Sequence, residues 1–177
     1  MYARDHGYSL LELLMTIAVA AVILTLGLPS FSALKARHSQ RIEINALFHA
    51  VHLARKASIM RRQVVSLCPS ANGSTCEPGR DWSGGFLVFE NSDRDEPPER
   101  DDGEILLHRH RASPSVEIIA NRQGFTLRAT FLRATNGTLV ICDRARRVMP
   151  RALVISYTGR PRVAERTPRG APYSCAL

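Results

Sequence analysis

The feature that most constrains the fold is a long apolar run near the N-terminus. Residues 8–28 read YSLLELLMTIAVAAVILTLGL and carry one charge, Glu12. As a helix, 21 residues are about 30 Å long, which matches the hydrocarbon core of a bilayer. The run is longer than the apolar core of a secretory signal peptide. We therefore expect a transmembrane helix over 8–28, with the short flank that contains Arg4 and His6 in the cytoplasm and the rest exported.

Glu12 needs a separate explanation, because a carboxylate in an apolar helix costs about 2.5–3.5 kcal/mol on insertion scales. Its position leaves two interpretations open. The side chain can reach the lipid headgroups, or it can meet a cation that another chain supplies.

The residues around Glu12 resemble the class III signal of type IV pilins and type II secretion pseudopilins. Gly7, Tyr8 and Glu12 in GYSLLELL carry the match, with Tyr where the family usually has Phe, and Pro29 stands where the family often has a helix-kinking proline. The resemblance implies that prepilin peptidase removes a leader of residues 1–7 and that Tyr8 is then N-methylated. It also implies that Glu12 neutralises the N-terminus of a neighbouring pilin during assembly from the inner membrane.

A second helical segment follows the apolar run. Pro29 removes one helical donor, so we expect a bend or local melting there. Residues 29–62 then form an amphipathic stem helix, since apolar positions recur at three- and four-residue steps: Ile44, Leu47, Phe48, Val51, Ala54 and Ser58. His49 and His52 are expected to be partly exposed helical residues rather than metal ligands.

Residues 63–177 change to the pattern of short strands. The segments are rich in Val, Ile, Leu, Phe and Thr and are separated by Gly- and Asn-containing turns. We predict an α+β fold, in which a small antiparallel β-sandwich head packs on the stem helix. The predicted strands are Val64–Cys68, Gly85–Glu90, Glu104–His110, Val116–Ala120, Phe125–Leu132, Thr138–Asp143, Ala152–Tyr157 and Pro161–Ala164.

The four cysteines form an even set in a domain that we expect to be exported, so disulfides are plausible. Three connectivities are possible. Cys68 and Cys76 flank a short Pro- and Gly-containing loop, which favours local closure and leaves Cys142 to pair with Cys175. Zinc is disfavoured because no C-x2-C pair is present and the compartment oxidises thiols.

Two strings in the head narrow the resemblance. VSLCPS at 65–70 and DWSGGFLVF at 81–89 are similar to the FimT/GspH branch of minor pilins and minor pseudopilins. These strings do not separate a pilus protein from a secretion protein.

Positive charge is concentrated at the C-terminus, where residues 143–177 hold eight arginines against Asp143 and Glu165. Within this stretch, the sequence Gly159-Arg160-Pro161-Arg162 resembles the G-R-x-R motif by which FimT-type minor pilins bind DNA. The resemblance implies that Arg160 and Arg162 contact the phosphate backbone of double-stranded DNA and that Gly159 shapes the turn. Charge alone adds supporting candidates: Arg144, Arg146, Arg147, Arg151, Arg166 and Arg169.

Two further groups of residues have the spacing of possible ligands. Asp93, Asp95, Asp101 and Glu104 have loose calcium-loop spacing, but Pro97 and Pro98 occupy positions where that loop needs a ligand and a glycine. His108 and His110 alternate along a strand and share a face, as a solvated or DNA-facing pair. We expect no metal, no cofactor and no enzymatic activity.

Two functions remain open. The first is a minor type IV pilin, periplasmic before assembly and extracellular in the pilus, that binds DNA for uptake in natural transformation. The second is a structural minor pilin or a GspH-like secretion pseudopilin without DNA binding.

Overall fold

The computed structural model describes Gly7, residues 9–129 and residues 134–175, without the side chains of residues 26–30. It divides into two compact units, residues 1–35 and residues 36–177. Most of the predicted leader and Tyr8 lie outside the described residues.

The first unit consists mainly of the beginning of helix α1, which spans Leu10–Arg61. Ser9 caps this helix: its hydroxyl accepts a hydrogen bond from Glu12 N at 3.2 Å, and its carbonyl accepts one from Leu13 N at 3.2 Å. Ser9 and Glu12 have the spacing of a capping box, so Glu12 lies in the third helical position. This local role was not recognised in the sequence.

Helix α1 remains helical at Pro29, so the predicted local melting is wrong. Proline has no backbone N–H, so one hydrogen bond of the helix is missing, but the residues on both sides keep their hydrogen bonds. Within the described residues, no helix is sufficiently long and apolar to cross a membrane.

The described part of the second unit contains the rest of α1 and eight strands, as the fold prediction requires. Two antiparallel four-stranded sheets are formed, with orders β3-β2-β1-β5 (sheet 1) and β4-β6-β7-β8 (sheet 2). All eight predicted strands are present, and the ends of seven lie within two residues of the prediction. The predicted strand Phe125–Leu132 is strand only over Phe125–Leu127, and residues 130–132 lie outside the described residues. The strands are β1 Val65–Pro69, β2 Gly85–Glu90, β3 Leu106–Arg111, β4 Val116–Ala120, β5 Phe125–Leu127, β6 Gly137–Asp143, β7 Arg151–Ile155 and β8 Pro161–Ala164.

The predicted apolar stripe of α1 forms the centre of the core. Ile44, Leu47, Val51 and Ala54 are buried in one cluster with side chains from both sheets. The helix ends where Arg62 adopts a positive φ of 54°, a left-handed conformation that stops helix propagation. Core partners from the sheets include Val65, Leu67, Phe86, Val88, Phe125, Ile118, Leu139, Ile141, Leu153 and Ile155.

Both predicted disulfides form and fasten segments over the outer faces of the sheets. Cys68–Cys76 closes the loop after β1, and Cys68 packs with Leu87 and Phe89 in a second apolar cluster. Cys142–Cys175 ties the C-terminal tail to β6 in sheet 2. A disulfide removes conformational freedom from the unfolded chain, so each closure stabilises the head.

Two buried polar side chains of α1 bond to the sheets. Gln40 Nε2 donates to the carbonyl oxygens of Ile141 at 2.8 Å and Met149 at 3.0 Å. Glu43 pairs with His110 Nε2 at 2.8 Å and accepts a hydrogen bond from Ser113 N at 2.9 Å. These contacts fix the helix against both sheets, because a buried polar group is stable only with its partner in place.

Replacing Glu43 with Ala should lower the free energy of unfolding by about 1–3 kcal/mol, because His110 and Ser113 N–H lose their partner. Glu43→Gln retains an oxygen that can accept the hydrogen bond from Ser113 N, so it should lower the free energy of unfolding by less. Denaturant unfolding of the full-length protein in detergent micelles measures both changes, with Asn45→Ala at an exposed position of α1 as the control. Equal losses for Ala and Gln would contradict the hydrogen-bonding role.

Candidate nucleic-acid interface

The G-R-x-R sequence forms the turn between β7 and β8. Gly159 has a φ of +68°, its N–H donates to Ser156 O at 2.8 Å, and Ser156 N donates to Arg160 O at 3.1 Å. Gly159 is buried, and a Cβ on it would lie 2.7 Å from Leu127 Cδ2. The glycine is therefore required both by backbone conformation and by packing against β5.

Arg160 and Arg162 are both exposed at this turn, which we call the β7–β8 hairpin. Arg160 immediately precedes β8, and Arg162 is its second residue and pairs in register with Val154. β8 is an edge strand of sheet 2, so one side of its backbone pairs with no other strand of that sheet. Within the described part of the chain, neither guanidinium forms an ion pair with a carboxylate.

Three of the supporting arginines are instead held by acidic side chains. Arg146 pairs with Glu117 at 2.8 Å, and Arg151 pairs with Glu165 at 2.7 Å. Arg147 donates from Nε and Nη2 to the two oxygens of Asp143, at 2.9 and 2.6 Å. These contacts reduce the charge that each arginine offers to a ligand.

The remaining candidates differ from this group. Arg166 Nη1 donates to the carbonyl oxygen of Gly170 at 3.0 Å, which leaves its charge uncompensated. Arg144 and Arg169 are exposed, and neither forms an ion pair with any described residue. The predicted set of basic residues thus separates into a paired group and a group that retains its charge.

Arg55 of α1 was missed in the sequence and lies beside the hairpin. Its Nη1 is 3.0 Å from the position that a Cβ on Gly159 would occupy. The two residues are more than one hundred positions apart in the chain, so no local pattern could have joined them. Arg55 adds a positive charge at the base of the hairpin.

The two histidines of β3 have different surroundings, because His108 is exposed and His110 is half-buried. They share a face as predicted, opposite Val88 and Phe86, but His110 is bound to Glu43. Burial, with repulsion from His110, lowers the pKa of His108, so that side chain is mostly neutral near pH 7. Among the described residues, no group of three or more His, Cys, Asp or Glu side chains is placed to hold a metal.

Of the residues predicted to act in processing and assembly, Gly7 and Glu12 are exposed and Tyr8 lies outside the described residues. Their roles remain predictions of the sequence.

Replacing Gly159 with Ala should destabilise the head by about 1–2 kcal/mol, because a side chain at positive φ is strained and would collide with Leu127. Thermal unfolding of the full-length protein in micelles measures the loss. Gly170→Ala is the matched control, since Gly170 also has a positive φ, of 82°, but nothing lies within 4 Å of its Cβ position. Equal losses in the two variants would show that the packing contact contributes nothing.

The Asp143–Arg147 contact should make stability depend on pH. Hydrogen bonds from Arg147 lower the pKa of Asp143, so the carboxylate stabilises the fold above the ordinary aspartate pKa, and this contribution is lost as the pH falls through the lowered value. Asp143→Asn should therefore lower the Tm at pH 7, and the difference from wild type should shrink in acid.

Glu165→Gln is the control for this measurement. Its side chain is 72% exposed in the pair with Arg151, and exposed pairs contribute little. A difference between wild type and Asp143→Asn that is constant from pH 7 to the acid limit of folding would rule out the linkage.

The comparisons with known proteins agree with this architecture. The family described as Type II transport protein GspH matches residues 43–159, which is more than half of the chain. The prokaryotic N-terminal methylation motif matches residues 2–28. A comparison with curated protein sequences found no match.

Solved structures share the fold at low sequence identity. The type IV minor pilin FimU of Pseudomonas aeruginosa PAO1, in space group P65, is 20% identical, with a TM-score of 0.52 over 79% of this chain and 99% of FimU. The minor pseudopilin EpsH of the Vibrio cholerae type 2 secretion system is 10% identical, with a TM-score of 0.50 over 71% of this chain and 96% of EpsH. The chain therefore belongs to the GspH family, carries a prokaryotic N-terminal methylation motif and shares the fold of a minor pilin and a minor pseudopilin.

Proposed function

We propose that this protein is a minor type IV pilin that binds extracellular double-stranded DNA for uptake in natural transformation. The observation that carries the proposal is the exposed pair Arg160 and Arg162, which no described carboxylate neutralises. A guanidinium fork binds phosphate through two donors, and its charge persists at all physiological pH values.

The hairpin supports such contacts through its geometry. Side chains two residues apart in an extended segment point the same way, at about 6–7 Å spacing. Pro161 favours an extended conformation for Arg160, and Gly159 fixes the preceding turn against β5. This spacing is close to that of successive phosphates along one strand of DNA.

The contacts would be made to the phosphate backbone without reading the base sequence. Affinity should then fall steeply with salt, because each neutralised phosphate releases condensed counterions. Contacts to phosphate and sugar position a protein but carry no direct sequence information. Binding that does not depend on the base sequence suits a protein that captures DNA of any origin.

The N-terminal residues would act in processing and assembly of the protein. Prepilin peptidase would cut after Gly7, Tyr8 would be methylated, and Glu12 would neutralise the N-terminus of a neighbouring pilin. The head would face the periplasm while residues 8–28 lie in the inner membrane, and it would become extracellular in the assembled pilus. The methylation motif at residues 2–28 supports this order of events.

The test is DNA binding by full-length protein in neutral detergent, measured by fluorescence anisotropy with a labelled random-sequence duplex. Arg160→Gln/Arg162→Gln should weaken binding by more than about tenfold and reduce the log–log salt slope by about 2. Arg37→Gln/Arg41→Gln, which removes the same charge from exposed positions of α1, is the matched control and should change binding little.

Two outcomes would overturn the proposal. Equal losses in the two double variants would mean that net charge, not the hairpin, governs binding. Absence of binding by the unmodified protein at low salt would remove the activity itself.

A secretion role without DNA binding is the second candidate, and the match to the GspH family favours it. Gene deletion followed by parallel assays of transformation, piliation and protein secretion separates the two. Loss of transformation that the Arg160→Gln/Arg162→Gln variant fails to restore, with piliation intact, supports the DNA-binding pilin. Loss of secretion alone supports the pseudopilin.

A further inference from the structure

A cleft of about 400 Å³ lies between the Cys68–Cys76 loop and β3, an edge strand of sheet 1. Its wall is formed by residues 70–73 and Gly84 on one side, and by Arg109, His110 and Arg111 on the other. Small-molecule sites have volumes of about 300–1,000 Å³, so the cleft has room for a small ligand. We call it the β3 cleft.

The loop side of the β3 cleft is internally braced. The disulfide closes the loop, and Asn72 Oδ1 accepts hydrogen bonds from Ser74 N at 2.8 Å and Thr75 N at 3.0 Å. Gly84 packs closely against the loop, since a Cβ added there would lie 2.8 Å from Ala71 Cβ. A braced wall loses little conformational entropy when a ligand binds.

The strand side supplies the charge. Arg109 and Arg111 are exposed and lie opposite Leu87 and Gly85 in the register of β2 and β3, which places them on one face of the strand. The stem of Arg109 runs along the loop, with its Cδ 3.6 Å from the Cβ position of Gly73. Among the described residues, neither guanidinium forms an ion pair.

The residues that line the β3 cleft do not neutralise the positive charge of the two arginines. None of the residues that line the cleft is acidic. Glu43 contacts His110, one of the lining residues, but its carboxylate is buried and bound to His110 and Ser113 N. A charged edge strand also discourages strand-to-strand aggregation, but that role requires neither a braced loop nor a cleft beside the charges.

We propose that the β3 cleft is a binding site for a phosphate group, held by the guanidinium forks of Arg109 and Arg111. Two unpaired forks on one face match an oxyanion with several acceptor oxygens. The bound group can be inorganic phosphate or the phosphate of a nucleotide. This proposal is independent of DNA binding by the hairpin. Gly159 packs on Leu127 of β5, at the opposite edge of sheet 1 from β3, so the two sites are separate.

The experiment titrates full-length protein in neutral detergent with inorganic phosphate, against chloride at matched ionic strength, by isothermal calorimetry and thermal shift. The unmodified protein should bind phosphate, and Arg109→Gln/Arg111→Gln should weaken binding by at least about tenfold. Arg109→Lys/Arg111→Lys keeps the charge but removes the forks, and its affinity should lie between those two. Arg37→Gln/Arg41→Gln, with the same charge loss on α1, should bind as the unmodified protein does.

Two further titrations identify the source of the phosphate and test whether the hairpin contributes to the site. Adenosine monophosphate replaces inorganic phosphate in a parallel titration, and the tighter ligand identifies the source. Arg160→Gln/Arg162→Gln should retain phosphate binding, so failure of DNA binding leaves this proposal standing. Phosphate binding no stronger than chloride binding, or equal losses in the variants at positions 109/111 and 37/41, would overturn it.

Discussion

The buried stripe of α1 is the contact on which the head depends. Neither sheet can bury its inner face alone, and the side chains of Leu47, Val51 and Ala54 join both sheets in one cluster. Burial of apolar surface is the main favourable term in folding, but it is not directional. Gln40 and Glu43 add direction, because their buried hydrogen bonds are satisfied in one placement of the helix.

Contacts on the outer faces of the sheets determine which surface arginines form ion pairs. Cys142–Cys175 holds the tail against β6, which places the carbonyl of Cys175 3.2 Å from Arg146. Arg146 also pairs with Glu117 of the neighbouring β4 at 2.8 Å. Several arginines form such contacts, whereas Arg160 and Arg162 form no ion pair with any described residue. Which arginines keep an uncompensated charge is therefore set by pairing within the fold rather than by net charge.

The architecture was predictable from local patterns. The three- and four-residue spacing of Ile44, Leu47 and Val51 predicted the buried face of α1. Short segments rich in Val, Ile, Leu, Phe and Thr predicted every strand, although β5 is shorter than expected. Strand ends were less certain because they depend on neighbouring segments. β3 begins at Leu106 rather than at Glu104, because the Glu104 carboxylate accepts hydrogen bonds from Ser92 N and Asp101 N in the preceding loop.

The positions of the turn, the disulfides and the apolar stripe followed from the order of residues, since short-range spacing and backbone preference dictate such features. Which arginines remain available did not follow, because ion pairs join residues that are distant in the chain. Arg55 approaches Gly159 only when α1 and the hairpin pack together. Likewise, the β3 cleft exists because a disulfide loop folds back beside an edge strand, a juxtaposition that linear spacing does not encode.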